Sequence, residues 1–109
     1  MKEIKAIIQP FMLDRVLGEL EAIEGVPGAI ISRVEGWGRS PVERAHESEH
    51  ASAHKTKLEI VVDDDLAPAI VAAIARGAHS GNVGDGKIFV IDVAEVVKIR
   101  TGERGRAAI

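Results

Sequence analysis

The sequence predicts a ferredoxin-like α+β domain, with the element order βαββαβ, an antiparallel sheet and a long loop between the second and third strands. Three observations support this fold: two segments with apolar residues at helical spacing, β-prone runs beside each of them, and one long polar segment between the two halves. A chain of 109 residues has the size of one domain, so we assign residues 1–109 to a single domain.

The first half of the chain reads as strand, helix and strand. Residues 2–9 are rich in Ile and stop before a proline, as a short strand does. Residues 13–24 place apolar side chains three and four positions apart, which predicts an amphipathic helix that Gly25 and Pro27 end. Residues 29–34 are the second predicted strand.

The second half repeats this order. Residues 66–78, rich in Ala and Ile, predict a helix with Asp64 or Asp65 as its N-cap. The segments predicted to be strands are residues 57–63, residues 87–91 and, as a further candidate, residues 93–99.

Both faces of the predicted sheet carry apolar side chains, because neighbouring strand residues point to opposite faces. The neighbouring apolar pairs are Ile7 with Ile8, Ile30 with Ile31, and Val61 with Val62. The two helices cover one face only. We therefore expect a second subunit to cover the other face, which makes the protein an oligomer.

Composition excludes several classes of function. A net charge of −3 gives no basic excess for binding nucleic acid, and the absence of cysteine excludes disulfides and thiolate metal sites. No apolar run reaches the length of a membrane span, and the N-terminus lacks the pattern of a signal peptide. These features together lead us to expect a cytoplasmic protein.

The glycine-rich segment 80–90 is the most informative part of the chain. Gly81, Gly84 and Gly86 precede Lys87 and a β-prone run. Glycine allows a ligand to approach bare backbone amides, successive amides form an anion-binding nest, and lysine adds a positive charge suited to phosphate. A tight turn without a ligand is the alternative, and it is the commoner reason for a glycine cluster before a strand.

Motifs along most of the chain together resemble the PII signal-transduction protein family. Those that carry the resemblance are Ala6-Ile7-Ile8-Gln9-Pro10-Phe11, Gly36-Trp37-Gly38-Arg39, Lys57-Leu58-Glu59-Ile60-Val61-Val62, the whole of residues 80–90, and Ile99-Arg100-Thr101-Gly102-Glu103. In the terms of that family, residues 37–55 are the T-loop, residues 80–87 the B-loop and residues 98–109 the C-terminal segment. The resemblance implies a homotrimer that binds ATP, ADP or AMP in the clefts between its subunits.

By position, the resemblance also implies the residues of the nucleotide site. They are Gly36, Gly38, Arg39, Val83, Gly84, Asp85, Gly86 and Lys87, with Lys98 and Arg100 reaching the phosphates from the neighbouring subunit. No nucleophile with an adjacent base is apparent, so we do not expect an enzyme. The implied function is control of a partner protein, either a membrane transporter or an assimilation enzyme, through the T-loop.

The chain departs from the family pattern at several positions. Ile30 stands where the family has a threonine in the nucleotide pocket, and Ser40 replaces a glutamine that helps to organise magnesium–ATP and 2-oxoglutarate. Lys98 replaces an arginine and lacks its two-pronged contact. The T-loop is shorter than usual, and since the chain has no tyrosine, uridylylation of a loop tyrosine is excluded.

The T-loop contains His46, His50 and His54, spaced by four residues. The first two satisfy the pattern His-Glu-x-x-His, but the polar surroundings do not suit the buried helix of a zinc protease, and we reject that function. Three interpretations stay open: a solvated loop without a shared histidine role, a site for Zn²⁺, Cu²⁺ or Ni²⁺, and a pH-responsive loop. A metal-responsive adaptor linked to a transporter is therefore the alternative function. Lys55 has two interpretations, an ion pair with the base of the loop or a solvated charge.

Overall fold

The computed structural model describes residues 1–38 and 52–109 and has the predicted ferredoxin-like α+β architecture. Four antiparallel strands lie in the order β2-β3-β1-β4, and two helices pack on one face of the sheet. The elements are β1 (Lys2–Ile8), α1 (Leu13–Glu21), β2 (Ile30–Trp37), β3 (Ser52–Val62), α2 (Ala67–Ala78) and β4 (Gly86–Asp92), with 3-10 turns at Pro10–Met12 and Gly105–Ala108.

The core lies between the helices and one face of the sheet. Alternate residues of the two central strands point into it, and the helices add aliphatic side chains; its fully buried members include Ile4, Ile8, Val16, Leu58, Ile60, Val62, Ile70 and Ile74. Gly77 of α2 sets the distance between the helices, because a methyl group there would lie 2.7 Å from the Cα atom of Val16 on α1. The two helices therefore meet backbone to backbone.

The opposite face of the sheet, called the open face below, has no layer over it in the single chain. Its apolar members are Ile7, Ile30, Val61, Phe89 and Ile91, and its charged members are Glu3, Lys5, Lys57, Glu59 and Lys87. Phe89 is 46% exposed and Ile30 is 67% exposed. The adjacent apolar pairs of the sequence thus do place apolar side chains on both faces, but on the open face these alternate with charges.

Strands β2 and β3 are longer than predicted. Strand β2 continues to Trp37, and β3 begins at Ser52. Residues 52–55 of β3 pair only with residues 34–37 of β2, because β1 ends at Ile8. We call this two-stranded extension the ribbon. Its sequence has no apolar alternation, and its buried positions include a lysine, Lys55, which is why the pattern did not predict it.

Three other predictions about local structure are corrected. Helix α1 ends at Glu21, three residues early, and Gly25 follows with a φ of 89°. Neither Asp64 nor Asp65 caps α2: Leu66 is the N-cap and no side chain bonds there. Asp64 instead accepts a hydrogen bond of 2.8 Å from the N-terminal ammonium group. Residues 93–99 add no strand to the sheet; Val97 forms only an isolated bridge with Arg104.

Candidate functional site

The glycine-rich loop joins α2 to β4 and depends on backbone conformations that suit glycine. Gly81, Gly84 and Gly86 have φ values of 88°, 99° and 103°. A Cβ atom on Gly86 would lie 1.7 Å from the carbonyl oxygen of Ile7, so no side chain fits at the point where the loop enters the sheet. The loop is therefore anchored to β1 by a backbone contact.

Asp85 organises this loop from within. Its carboxylate accepts hydrogen bonds from the Ser80 hydroxyl, from the Ser80 amide at 2.7 Å and from the Gly81 amide at 2.9 Å. The hydroxyl of Ser80, followed by the Ser80 amide, holds the pKa of Asp85 below its ordinary value. Both carboxylate oxygens are occupied inside the loop. Asp85 thus shapes the loop through its side chain, and the phosphate contact implied for it by the family resemblance stays a prediction.

The amides of Val83 and Gly84 have no hydrogen-bond acceptor in the part of the chain that the structure describes. The carbonyl of Gly84, in contrast, has a partner. It accepts a hydrogen bond of 3.1 Å from the ammonium group of Lys55, whose side chain is only 5% exposed. The interpretation of Lys55 as a solvated charge is wrong, and its bond is to a backbone carbonyl of the B-loop. Lys55 therefore links the ribbon directly to the glycine-rich loop.

Cationic side chains gather at the loop end of the open face. Lys57 and Lys87 both pair in register with Ile7, one on each side of β1. Glu59 lies one step further from the loop, with a carboxylate oxygen 3.3 Å from the Lys57 ammonium group. The positive charge is thus nearest to the glycine-rich loop, as a polyphosphate would require.

The remaining residues predicted for the nucleotide site fall into two groups. Gly36 lies in β2 opposite Ala53, and Gly38 directly follows that strand, so both belong to the ribbon end. Arg39, and with it Ser40, lies outside the described residues. Lys98 and Arg100 follow the far end of β4, whereas Gly86 begins that strand at the loop. Lys98 and Arg100 therefore lie on the segment that leaves the end of β4 opposite to the glycine-rich loop.

The histidine cluster is described only in part. His46 and His50 lie outside the described residues, and His54 is a β3 residue paired with Glu35 of β2. The Nδ1 atom of His54 lies 3.9 Å from a carboxylate oxygen of Glu35, and both side chains are exposed. Within residues 1–38 and 52–109, no group of three His, Asp or Glu residues is placed to hold a metal ion. Neither described helix is long and apolar enough to cross a bilayer.

The fold and the loop together define a class of small ferredoxin-like domains with a glycine-rich loop and a projecting β2–β3 ribbon at the same end of the sheet. Comparison with known proteins narrows this class. The family model described as nitrogen regulatory protein P-II matches residues 1–103. The chain therefore belongs to the P-II family of signal-transduction regulators.

Individual relatives agree over the full length. Nitrogen regulatory protein P-II of Azospirillum brasilense is 42% identical, and nitrogen regulatory protein P-II 1 of Escherichia coli K12 is 45% identical, each alignment covering 100% of both chains. The crystal structure of Arabidopsis thaliana PII bound to citrate superposes with a TM-score of 0.84 at 37% identity, covering 99% of this chain and 91% of that one.

Proposed function

We propose that this protein is a homotrimeric regulator that binds ATP, ADP or AMP between its subunits and controls a partner protein through its T-loop. The nucleotide would lie between the glycine-rich loop of one subunit and the C-terminal segment of its neighbour. Binding of different nucleotides would favour different arrangements of the loop. This is allosteric control in the thermodynamic sense, since each nucleotide acts through its different affinity for the loop states.

The geometry at the glycine-rich loop supports phosphate binding. The loop offers the amides of Val83 and Gly84, which have no acceptor among the described residues, and the carboxylate of Asp85 is engaged by hydrogen-bond donors inside the loop. Lys87 stands at the start of β4 on the adjoining open face. Hydrogen bonds from backbone amides and ammonium groups to phosphate oxygens are charge-assisted and about twice as strong as neutral ones.

The separation of the two cationic groups is the observation that carries the proposal. Lys87 and the loop lie at the start of β4, whose seven residues span about 20 Å at the rise of an extended strand. The segment that carries Lys98 and Arg100 leaves the other end of that strand, where Arg106 pairs with Asp63. The cavity beside the loop, lined by Ile8, Asp85 and other residues, is about 250 Å³. That is below the ~300–1,000 Å³ typical of ligand pockets. A second subunit that brings its own C-terminal segment to this loop would complete the site.

The contact between Lys55 and Gly84 supports a regulatory role for the same site. Lys55 lies in the ribbon, at the end of the predicted T-loop, and Gly84 lies in the loop that would hold the phosphates. Any shift of the Gly84 backbone on binding a ligand acts on the base of the T-loop through this hydrogen bond. The nucleotide site and the T-loop are thereby joined by one contact.

Calorimetric titration with ATP, ADP, AMP and adenosine, together with sedimentation analysis of mass, tests the proposal. We expect a trimer that binds the adenine nucleotides with millimolar or tighter affinity and binds adenosine more weakly. A monomer, or a trimer that binds none of the three nucleotides, would contradict it.

Mixed trimers test whether the site is shared between subunits. Lys87→Met and Arg100→Met remove cations from the two halves of the proposed site, so each homotrimer should bind ATP weakly. In a mixed trimer, one cleft combines an intact loop from the Arg100→Met subunit with an intact C-terminal segment from the Lys87→Met subunit. Recovery of tight binding in one cleft of the co-expressed mixture is expected. Failure of recovery would place the site within one subunit.

The second candidate is a metal-responsive regulator that binds Zn²⁺, Cu²⁺ or Ni²⁺ through His46, His50 and His54 and acts on a transporter. The placement of His54 and Glu35 on one face of the ribbon gives this candidate two donor groups. Titration of the nucleotide-free protein with each metal decides it. Stoichiometric uptake that is lost in His46→Ala/His50→Ala, with nucleotide binding absent, would favour the metal over the nucleotide.

A further inference from the structure

The chain that follows β4 folds into a hairpin over residues 96–105. The amide of Lys98 donates to Glu103 and the amide of Gly102 donates to Lys98, each over 2.8 Å. Gly105 donates to the Val96 carbonyl over 2.9 Å, and a carboxylate from Glu95 pairs with Arg104 at the base. Lys98 and Arg100 are carried on this hairpin, so its internal hydrogen bonds hold them in a fixed relation to each other.

Few contacts fix the hairpin to the rest of the chain. Among the hydrogen bonds and ion pairs of the described residues, two connect residues 93–109 to the body. Where the chain enters, the Val93 amide donates to the Met1 carbonyl over 3.1 Å. Where it leaves, the Arg106 guanidinium lies 2.8 Å from a carboxylate oxygen of Asp63.

The side chain of Asp63 has a fixed orientation, so it can fix the position of Arg106. The same carboxylate oxygen accepts a hydrogen bond of 2.8 Å from the Asp64 amide, which fixes the orientation of the Asp63 side chain. Asp63 directly follows β3, a central strand, and therefore belongs to a rigid part of the protein. The pair thus joins the residue that follows the hairpin to the end of a central strand.

We infer that the Asp63–Arg106 ion pair is a positioning device that sets the direction in which the hairpin presents Lys98 and Arg100 to the phosphates of a nucleotide held by the neighbouring subunit. This inference rests on the proposed function. Arg106 and Asp63 are positioning residues, and neither contacts the nucleotide.

Substitutions can distinguish a positioning role of this ion pair from a general electrostatic effect of its two charges on ATP binding. Arg106→Gln removes a positive charge and Asp63→Asn removes a negative one. If the two residues acted only through the field that they produce at the phosphates, the first variant would weaken ATP binding and the second would strengthen it. A positioning role predicts that both variants weaken it. Asp65→Asn is the matched control, because it removes an identical charge two residues away that has no ion pair among the described residues.

The experiment is calorimetric titration of each intact trimer with ATP and with adenosine at low ionic strength. We expect Arg106→Gln and Asp63→Asn each to weaken ATP binding by about two- to fivefold, the range that corresponds to a surface ion pair, and to leave adenosine binding unchanged. The double variant should be no weaker than either single one. The reversed pair, Asp63→Arg/Arg106→Asp, should recover ATP affinity.

Two results would overturn the inference while leaving the proposed function intact. If Asp63→Asn binds ATP as tightly as the original protein or more tightly, the pair has no positioning role. An equal loss of ATP and adenosine affinity, accompanied by a lower unfolding temperature, would show a merely structural role. If the unaltered protein binds no nucleotide, the proposed function fails and the inference fails with it, and this outcome is distinct from the other two.

Discussion

The two ends of the sheet are held together in different ways. At the end that carries the glycine-rich loop, backbone conformation and a buried lysine fix the structure: Gly86 lies against Ile7, and Lys55 donates to the carbonyl of Gly84. At the opposite end, exposed ion pairs connect the N-terminus, the turn after β3 and the C-terminal segment. Steric and buried contacts tolerate little change, whereas exposed ion pairs are weak and depend on salt. The first end therefore has a preformed loop, and the second holds its segments by weaker, salt-dependent contacts.

The largest effect is expected at the glycine end. Gly86→Ala combines a positive φ with a Cβ atom 1.7 Å from the Ile7 carbonyl oxygen, and the free energy of unfolding should fall by about 3 kcal/mol or more. Denaturant titration measures this. Gly102→Ala is the control, since Gly102 has a φ of 74° but open space around it, and strain alone should then cost about 1 kcal/mol. Equal losses in the two variants would refute the steric role of Gly86.

The next effect concerns the buried lysine. Lys55→Met keeps the aliphatic stem but removes the donor to the Gly84 carbonyl, so we expect the free energy of unfolding to fall by about 1–3 kcal/mol and ATP affinity to change with it. Lys57→Met changes a lysine two residues away whose ammonium group pairs with Glu59 near solvent. This control should cost less, and its effect should depend on salt. A Lys55→Met protein as stable as Lys57→Met would show that the contact contributes nothing.

Asp85 gives a prediction with a definite dependence on pH. Because hydrogen bonds from Ser80 and then Gly81 lower its pKa in the folded state, the stabilisation is present above the unfolded pKa of about 3.9 and is lost as pH falls through the lower folded value. Asp85→Asn should therefore be less stable than the original chain at neutral pH, and the difference should vanish in acid. Urea titrations across that range measure it. If the difference in unfolding free energy were the same at every pH, the loss of stability would come from a changed loop conformation and not from the charge of Asp85.

The smallest effect is expected at the opposite end of the sheet. The N-terminal ammonium group donates to Asp64 and lowers the pKa of that carboxyl group. Asp64→Asn should shift the unfolding midpoint slightly at neutral pH and low salt, and the shift should disappear at high salt or in acid, where the carboxylate of the original chain is screened or protonated. A large, salt-independent loss would remove the distinction between the two ends.

Hydrophobic spacing was enough to predict the helices and the central strands. The apolar repeat of α1 and α2 and the Ile-rich run of β1 report burial directly, so these elements lie within a few residues of their predicted bounds. The ribbon escaped prediction because its residues show no apolar alternation, and one of its buried side chains is a lysine, Lys55. Asp64 was misassigned because its partner, the N-terminus, lies 63 residues away in sequence.

The sequence was enough to predict where the candidate site lies, but not the contacts that its residues make. The glycine cluster identified the loop, and positive φ values at Gly84 and Gly86 bear out the conformational reason for glycine there. The inward role of Asp85 and the contact of Lys55 with Gly84, 29 residues apart, depend on the folded arrangement. The sequence shows no local signal for either contact. Lys55 is buried although its sequence neighbours do not form an apolar run.

The ribbon projects beyond the rest of the sheet. Residues 52–55 extend about 13 Å past the last paired residue of β1, at the rise of an extended strand, and are supported there by a single partner strand. A small rotation of the ribbon about the contact between Lys55 and Gly84 would produce a larger displacement at Trp37 and Ser52. The ribbon thus stands outside the hydrophobic core, and a shift of these residues would leave the core packing unchanged.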